Sequence, residues 1–177
     1  MAVNAGRWGA PVARDVLRHL PSGGALPEGV WARRHRGILL LLWLHIPALF
    51  GFALLRGKTV AHSAVEAAII LGLAGAATVF RNRRRPTTVI TAIGLLTCSA
   101  ELVHLSGGLI EMHFHFFVIV GIVTLYQDWH PFIVSISYVV VQHGVGGAIA
   151  PRSVYNHPGA IDAPWKWPAS TGSSSSA

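Results

Sequence analysis

The sequence predicts an all-α polytopic membrane protein, a helix bundle with five transmembrane helices. Of its 177 residues, 52% are hydrophobic and only 12% are charged, and the mean hydropathy is +0.51. A soluble domain would need more charge to cover its surface. The apolar residues also fall into five stretches that are long enough, or nearly so, to cross about 30 Å of hydrocarbon.

The five predicted spans follow one another with short connectors. The first contains Pro47, whose kink neighbouring helices can accommodate within a bilayer. Asp128 and Trp129 form a turn before the fifth, and Pro131 stands at its beginning. We place the spans at about residues 37–55, 60–80, 87–105, 110–126 and 132–149.

Basic residues lie at the ends of the apolar stretches, which is typical of topology control and not of nucleic-acid binding. Positively charged loops stay in the cytoplasm. We therefore expect a multi-pass protein of the cytoplasmic membrane with a cytoplasmic N-terminus. Ten Lys and Arg residues then lie inside (7, 14, 18, 33, 34, 36, 81, 83, 84 and 85) and four outside (56, 58, 152 and 166).

The span limits divide the chain into four parts. They are a cytoplasmic tail (1–36), the five-helix transmembrane domain (37–149), an extracytoplasmic loop (150–167) and a Ser-rich tail (168–177). Trp165 and Trp167 are expected at an interface just before another helix enters the membrane. If the serines of the tail have TCN codons, a shifted frame encodes apolar residues there, so we hypothesise a frameshift that removed a sixth helix. The alternative is a natural flexible tail or a cloning remnant.

Ionisable residues within the spans are concentrated toward the outer side. Each is costly in a bilayer, at about 2.5 kcal/mol or more, and is a functional candidate by default. Acids and histidines three or four residues apart share a helix face. Three predicted helices each carry such a pair: His62 with Glu66, Glu101 with His104, and Glu111 with His115. His113 is expected to point to the opposite side from His115.

These pairs suggest a metal site, because imidazole and carboxylate ligands suit zinc or non-haem iron. The predicted metal ligands are His62, Glu66, Glu101, His104, Glu111 and His115. A bis-histidine haem is a second possibility, while copper(I) is disfavoured because methionines are few and no cysteine is near.

Two other readings of the same residues stay open. One is a proton or quinone-type pocket, and the other is pairing that only locks helix packing. For a ligand or cofactor pocket the candidates are Glu101, His104, Glu111, His113, His115 and His143.

One long series of motifs resembles a known membrane domain. It reads "VHLSGGLIEMHFHFFVIVGIVTLYQDWHPF", then "YVVVQHG", "SVYNHP" and "PWKW". It is similar to the N-terminal multi-pass sensor domain of bacterial methyl-accepting chemotaxis proteins, GGDEF diguanylate cyclases and sensor histidine kinases, over about residues 27 to 167. Where that family has His-His-Gly, this chain has Gln142, His143 and Gly144.

The resemblance implies a six-helix input module of a signal-transduction protein that detects a ligand, metal or redox cofactor. Such a module would have the lipid bilayer and a second copy of itself as partners, and no nucleic acid. The chain would lack the sixth helix and the cytoplasmic output domain, and would not itself be an enzyme. The competing hypothesis is a membrane metal-dependent enzyme or transporter that uses the same His/Glu cluster.

Overall fold

The computed structural model describes residues 26–149, and within this range the chain is all-α, as predicted. The predicted extracytoplasmic loop, the Ser-rich tail and the frameshift lie outside the described residues, as does most of the N-terminal tail. The five helices are α1 (Glu28–Leu55), α2 (Val60–Val79), α3 (Arg84–Ser106), α4 (Ile110–Val123) and α5 (Trp129–Val141).

Short irregular helices extend three of these elements. A 3-10 turn, Phe80–Asn82, follows α2, and a second, Thr124–Tyr126, follows α4. A π-helical segment, Gln142–Gly146, continues α5 and leads into a last helical turn, Gly147–Ile149.

The helices lie close to the predicted positions, with the largest difference at the start of α1. This helix begins at Glu28 instead of near residue 37, because Trp31 and His35 lie one turn apart on a buried face and extend the packed surface. Three helical segments are long and apolar enough to cross a membrane: Glu28–Leu55, Val60–Asn82 and Arg84–Ser106. Ile110–Tyr126 is shorter but apolar, and a crossing by all five helices stays a prediction.

Helix α3 is the centre of the bundle. In the most apolar part of α3, 61% of the residues are buried. The corresponding share is 22% in α1 and 22% in Val60–Asn82, which is α2 with the turn that follows it. Small residues allow this close packing. A Cβ added to Gly94 would lie 2.9 Å from a methyl carbon of Leu42 on α1.

Polar contacts mark the two ends of the bundle. At one end, which we call the outer end after the predicted orientation, Arg56 donates to the carbonyl of Ser106 (2.9 Å) and ties α1 to α3. At the other, the inner end, Arg34 donates to the carbonyl of Leu125 (2.7 Å). Helices α1 and α3 therefore run in the same direction and α4 runs in the opposite one, as in a multi-pass membrane domain.

Candidate functional site: histidine and glutamate clusters

Three ionisable side chains meet at the outer end, and we call His62, Glu66 and His104 the outer cluster. Glu66 Oε1 lies 3.4 Å from Nε2 of His62 and 3.9 Å from Nε2 of His104. One ligand atom from each residue falls within 4.8 Å of the other two. The His62 and His104 side chains are 41% and 42% exposed, and that of Glu66 is 17% exposed. The outer cluster is therefore open on one side.

Local sequence places these residues at helix ends. Thr59 caps α2, because its hydroxyl accepts a hydrogen bond from the backbone N–H of His62 at 3.2 Å. Helix α3 ends at Gly107, whose φ of 77° lies in the left-handed region that favours glycine. The first two turns of α2 and the last turn of α3 thus lie side by side, with an acid and two imidazoles between them.

Glu101 lies beneath the outer cluster and is only 6% exposed. Neither of its carboxylate oxygens has a hydrogen-bond partner among the described residues, although its carboxyl group interacts electrostatically with Glu66. A buried carboxyl group without partners is costly. Such a group is therefore a candidate for contact with a ligand.

A second pair lies deeper, between α1 and α4, and we call His45 and His115 the mid-membrane pair. Their Nε2 atoms are 3.3 Å apart, and the ring centroids are 5.3 Å apart with planes at 62°. The other ring nitrogens are also occupied. Nδ1 of His45 lies 2.7 Å from the carbonyl oxygen of Leu41, and Nδ1 of His115 lies 2.8 Å from the hydroxyl of Ser99.

A third pair, His113 and His143, joins α4 to the π-helical segment. The ring centroids are 5.3 Å apart, and each Nδ1 donates to the carbonyl four residues earlier, of Leu109 and Val139 respectively. His143 also packs edge-on against Phe116. π-helical turns are frequent at functional sites because they redirect side chains, and this one carries the histidine of the Gln-His-Gly motif.

A polar network lies at the inner end. His35 Nδ1 is 2.9 Å from the hydroxyl of Tyr126, and His35 Nε2 is 3.2 Å from the hydroxyl of Thr87. The His35 ring stacks on Trp31 at a centroid distance of 5.0 Å, and Arg84 lies over the Trp31 ring at 5.4 Å. We call His35, Thr87 and Tyr126 the inner network; it joins α1 and α3 to the turn after α4.

The structure separates the six predicted metal ligands into groups. His62, Glu66 and His104 come together, and Glu101 lies next to them. Glu111 is exposed at the start of α4, whereas His115 on the same helix has His45 and Ser99 as partners. As expected, His113 has a different neighbour from His115. Three of the six predicted ligands thus form the outer cluster, and metal binding there stays a prediction.

Sequence reasoning missed the role of His45. No acid and no second histidine lies three or four residues from it in the first span, so helical spacing predicts no partner for it. Its depth near mid-span was the available signal, because an imidazole there needs a partner on another helix. The amide oxygen of Gln142, in the Gln-His-Gly motif, is buried without a hydrogen-bond partner among the described residues.

The outer cluster has the donor set of a transition-metal site. Two imidazoles and one carboxylate are typical ligands of catalytic zinc and non-haem iron, and both metals keep further positions open for water or another ligand. The same residues without a metal form a group of ion-pair contacts that links α2 to α3. The two arrangements differ in whether a cation replaces the direct His–Glu contacts.

Comparison with known proteins gives one informative match. No known protein family matches the chain, and no solved structure matches it. The chain is 37% identical over 170 residues to Transducer protein Htr8 of Halobacterium salinarum; the match covers 89% of this chain and 26% of that protein. This chain therefore corresponds to about a quarter of its relative's length. Together with the three long apolar helices, the similarity supports a membrane protein of signal transduction.

Proposed function

We propose that this chain is the membrane-embedded input module of a signal-transduction protein, and that the outer cluster is its ligand site. The proposal depends above all on one observation: three ligand atoms from two helices lie within 4.8 Å of one another at the outer end. The similarity to a transducer protein supports the sensor role. In the proposed topology the N-terminus is cytoplasmic and the protein resides in the cytoplasmic membrane.

The ligand class follows from the donor atoms. A carboxylate and two imidazoles bind a divalent transition-metal cation such as Zn²⁺ or Fe²⁺. The half-exposed His62 and His104 rings would admit the cation from the outer side. Glu101 has two unpartnered oxygens close to Glu66 and would add negative charge or a fourth ligand.

The path for a signal runs along α3. A cation that draws Glu66 on α2 toward His104 on α3 would shift the outer end of the central helix. At its inner end the same helix carries Thr87, which contacts His35 on α1. Ligand binding at the outer cluster would thus shift α1, α2 and α3 relative to one another at the inner end, where an output domain would act.

Zinc binding by the purified chain in detergent tests the ligand site. We expect His62→Ala, Glu66→Gln and His104→Ala each to weaken Zn²⁺ binding at least tenfold, because each removes one ligand of the outer cluster. His130→Ala is the matched control, since His130 is an exposed histidine outside the cluster. Equal affinity in all variants would refute the site. Loss of thermal stability without any change in zinc affinity would show that the cluster only holds helices together.

A chimera tests the sensor role separately. The matching region of the halobacterial transducer protein is replaced by this chain, and the swimming response of the cells to added zinc is recorded. We expect a response that is lost in a chimera with Glu66→Gln. If the purified chain binds zinc but the two chimeras behave alike, the cluster is a metal site without a signalling role.

A further inference from the structure

The mid-membrane pair lies apart from the outer cluster. His45 is in α1, ten residues before Leu55, or about 15 Å from the outer end of that helix at 1.5 Å per residue. His115 is in the second turn of α4. Neither helix contributes a residue to the outer cluster, which is built from α2 and α3. The two sites can therefore be altered independently.

The hydrogen bonds at Nδ1 determine which nitrogen of each ring carries a proton and which carries a lone pair. The carbonyl of Leu41 can only accept, so Nδ1 of His45 carries the proton, and Nε2 of the neutral ring carries a lone pair. The hydroxyl of Ser99 has two possible acceptors, Nδ1 of His115 at 2.8 Å and the carbonyl of Leu95 at 3.2 Å. The Ser99 hydroxyl thus decides which tautomer His115 adopts.

Two arrangements of protons are compatible with the contacts at the two Nδ1 atoms. If Ser99 donates to His115 Nδ1, then His115 Nε2 carries a proton that it donates to His45, and a hydrogen-bonded chain ends at Leu41. If Ser99 donates to Leu95, then His115 donates from Nδ1 to Ser99, and both Nε2 lone pairs point into the same gap. The second arrangement is unfavourable when the gap is empty and favourable when it holds a cation.

The separation of the two Nε2 atoms fits a tetrahedral metal. With metal–nitrogen bonds of about 2.0–2.1 Å, two nitrogens 3.3 Å apart subtend about 104–111° at the metal, close to the tetrahedral angle. Axial ligands on opposite faces of a haem would need about 4 Å, twice that bond length. The pair therefore fits a small cation better than haem.

We propose that His45 and His115 form a second metal site for one tetrahedral transition-metal cation of the zinc type, and that Ser99 orients His115. Two further coordination positions remain for water or an external ligand. Binding changes the tautomer of His115 but releases no net proton, because the two arrangements contain the same number of protons. Ser99 contacts the ring, not the metal, and is a positioning residue.

The test uses the chain with its outer cluster removed, the triple variant His62→Ala/Glu66→Gln/His104→Ala. Co²⁺ is the probe, since a tetrahedral site gives it intense visible absorption and X-ray absorption counts its imidazole ligands. We expect the folded triple variant to bind one equivalent of Co²⁺ with two imidazoles, competed by Zn²⁺. Adding His45→Ala or His115→Ala should abolish this binding, and His45→Gln provides the same test with a side chain that keeps polarity and bulk.

Ser99→Ala tests the positioning role, and Ser135→Ala is its matched control. Ser99→Ala should weaken Co²⁺ binding about ten- to a hundredfold, as expected when a group that orients a metal ligand is lost. Ser135→Ala should not, since that buried serine only donates to the carbonyl of Pro131 on α5. A triple variant that is folded but binds no Co²⁺, or binding that survives His45→Gln, would overturn the proposal. Neither result affects the outer cluster, whose zinc affinity is compared between variants that all carry His45→Gln, so that only one of the two sites is present.

Discussion

Replacement of Tyr126 by Phe tests the inner network, because it removes a single heavy atom, the hydroxyl oxygen. The Tyr126 hydroxyl is 2.9 Å from Nδ1 of His35, and the two residues are 1% and 4% exposed. Thr87 directs its own proton to the carbonyl of Ala77 at 2.8 Å, so His35 donates from Nε2 to Thr87. His35 Nδ1 must then accept from Tyr126, and the variant leaves that nitrogen without a donor.

The expected cost follows from the burial of this nitrogen. A buried acceptor without a partner costs about 1–3 kcal/mol in proteins generally, whereas side-chain hydrogen bonds inside membranes average about 0.6 kcal/mol and reach about 1.7 kcal/mol. His35 is almost fully buried, and stacking on Trp31 prevents its ring from turning toward another donor. We therefore expect Tyr126→Phe to lower the free energy of unfolding by about 1–1.5 kcal/mol, near the upper end for a membrane protein.

Unfolding of the purified chain in detergent, followed by helical circular dichroism, measures this cost. Tyr138→Phe is the matched control, because the Tyr138 hydroxyl makes a longer bond of 3.2 Å to Thr97 in a half-buried position. We expect it to cost about 0.5 kcal/mol or less. Equal effects of the two substitutions would refute the argument that burial and fixed ring orientation make the Tyr126–His35 bond the stronger one.

Three further predictions concern helix packing and helix ends. Gly94→Ala should destabilise the chain by about 1–2 kcal/mol relative to Gly72→Ala, because the new methyl group meets Leu42 at 2.9 Å while Gly72 has open space; thermal unfolding of both variants measures the difference, and equal melting temperatures would contradict the packing. Gly107→Ala should cost about 1 kcal/mol, since alanine disfavours the φ of 77°, whereas Gly29→Ala should not be destabilising. Burial alone would raise the pKa of Asp128, but hydrogen bonds from His130 and the charges of His130 and Arg85 outweigh it and lower the pKa below its ordinary 3.8. The stabilisation is thus fully present above about pH 4 and is lost as the pH falls through the lowered pKa. Asp128→Ala, which also removes the cap of α5, should cost about 1 kcal/mol at pH 7 and less below pH 4; a pH-independent difference would refute the assignment.

Apolar patterning was sufficient to predict the helices, because each span must satisfy its backbone hydrogen bonds within itself. The ends were less predictable. The start of α1 is extended by Trp31 and His35, whose burial depends on Tyr126 and Arg84 far along the chain. A hydropathy pattern indicates whether a segment prefers lipid or water, but it does not identify the side chains that pack against the segment. It therefore placed the start of α1 where the apolar residues begin.

The sequence by itself determined which residues share a helix face. The His62–Glu66 contact is predictable, because residues four apart on one helix must be neighbours. Only the tertiary structure decided which faces meet: that Glu66 also reaches His104, that His115 turns to His45, and that His113 turns to His143. Helical spacing is a local property of the backbone, whereas pairing between helices depends on their rotation and depth. Those are set by the packing of small residues such as Gly94 against neighbouring helices, which no single segment of the sequence specifies.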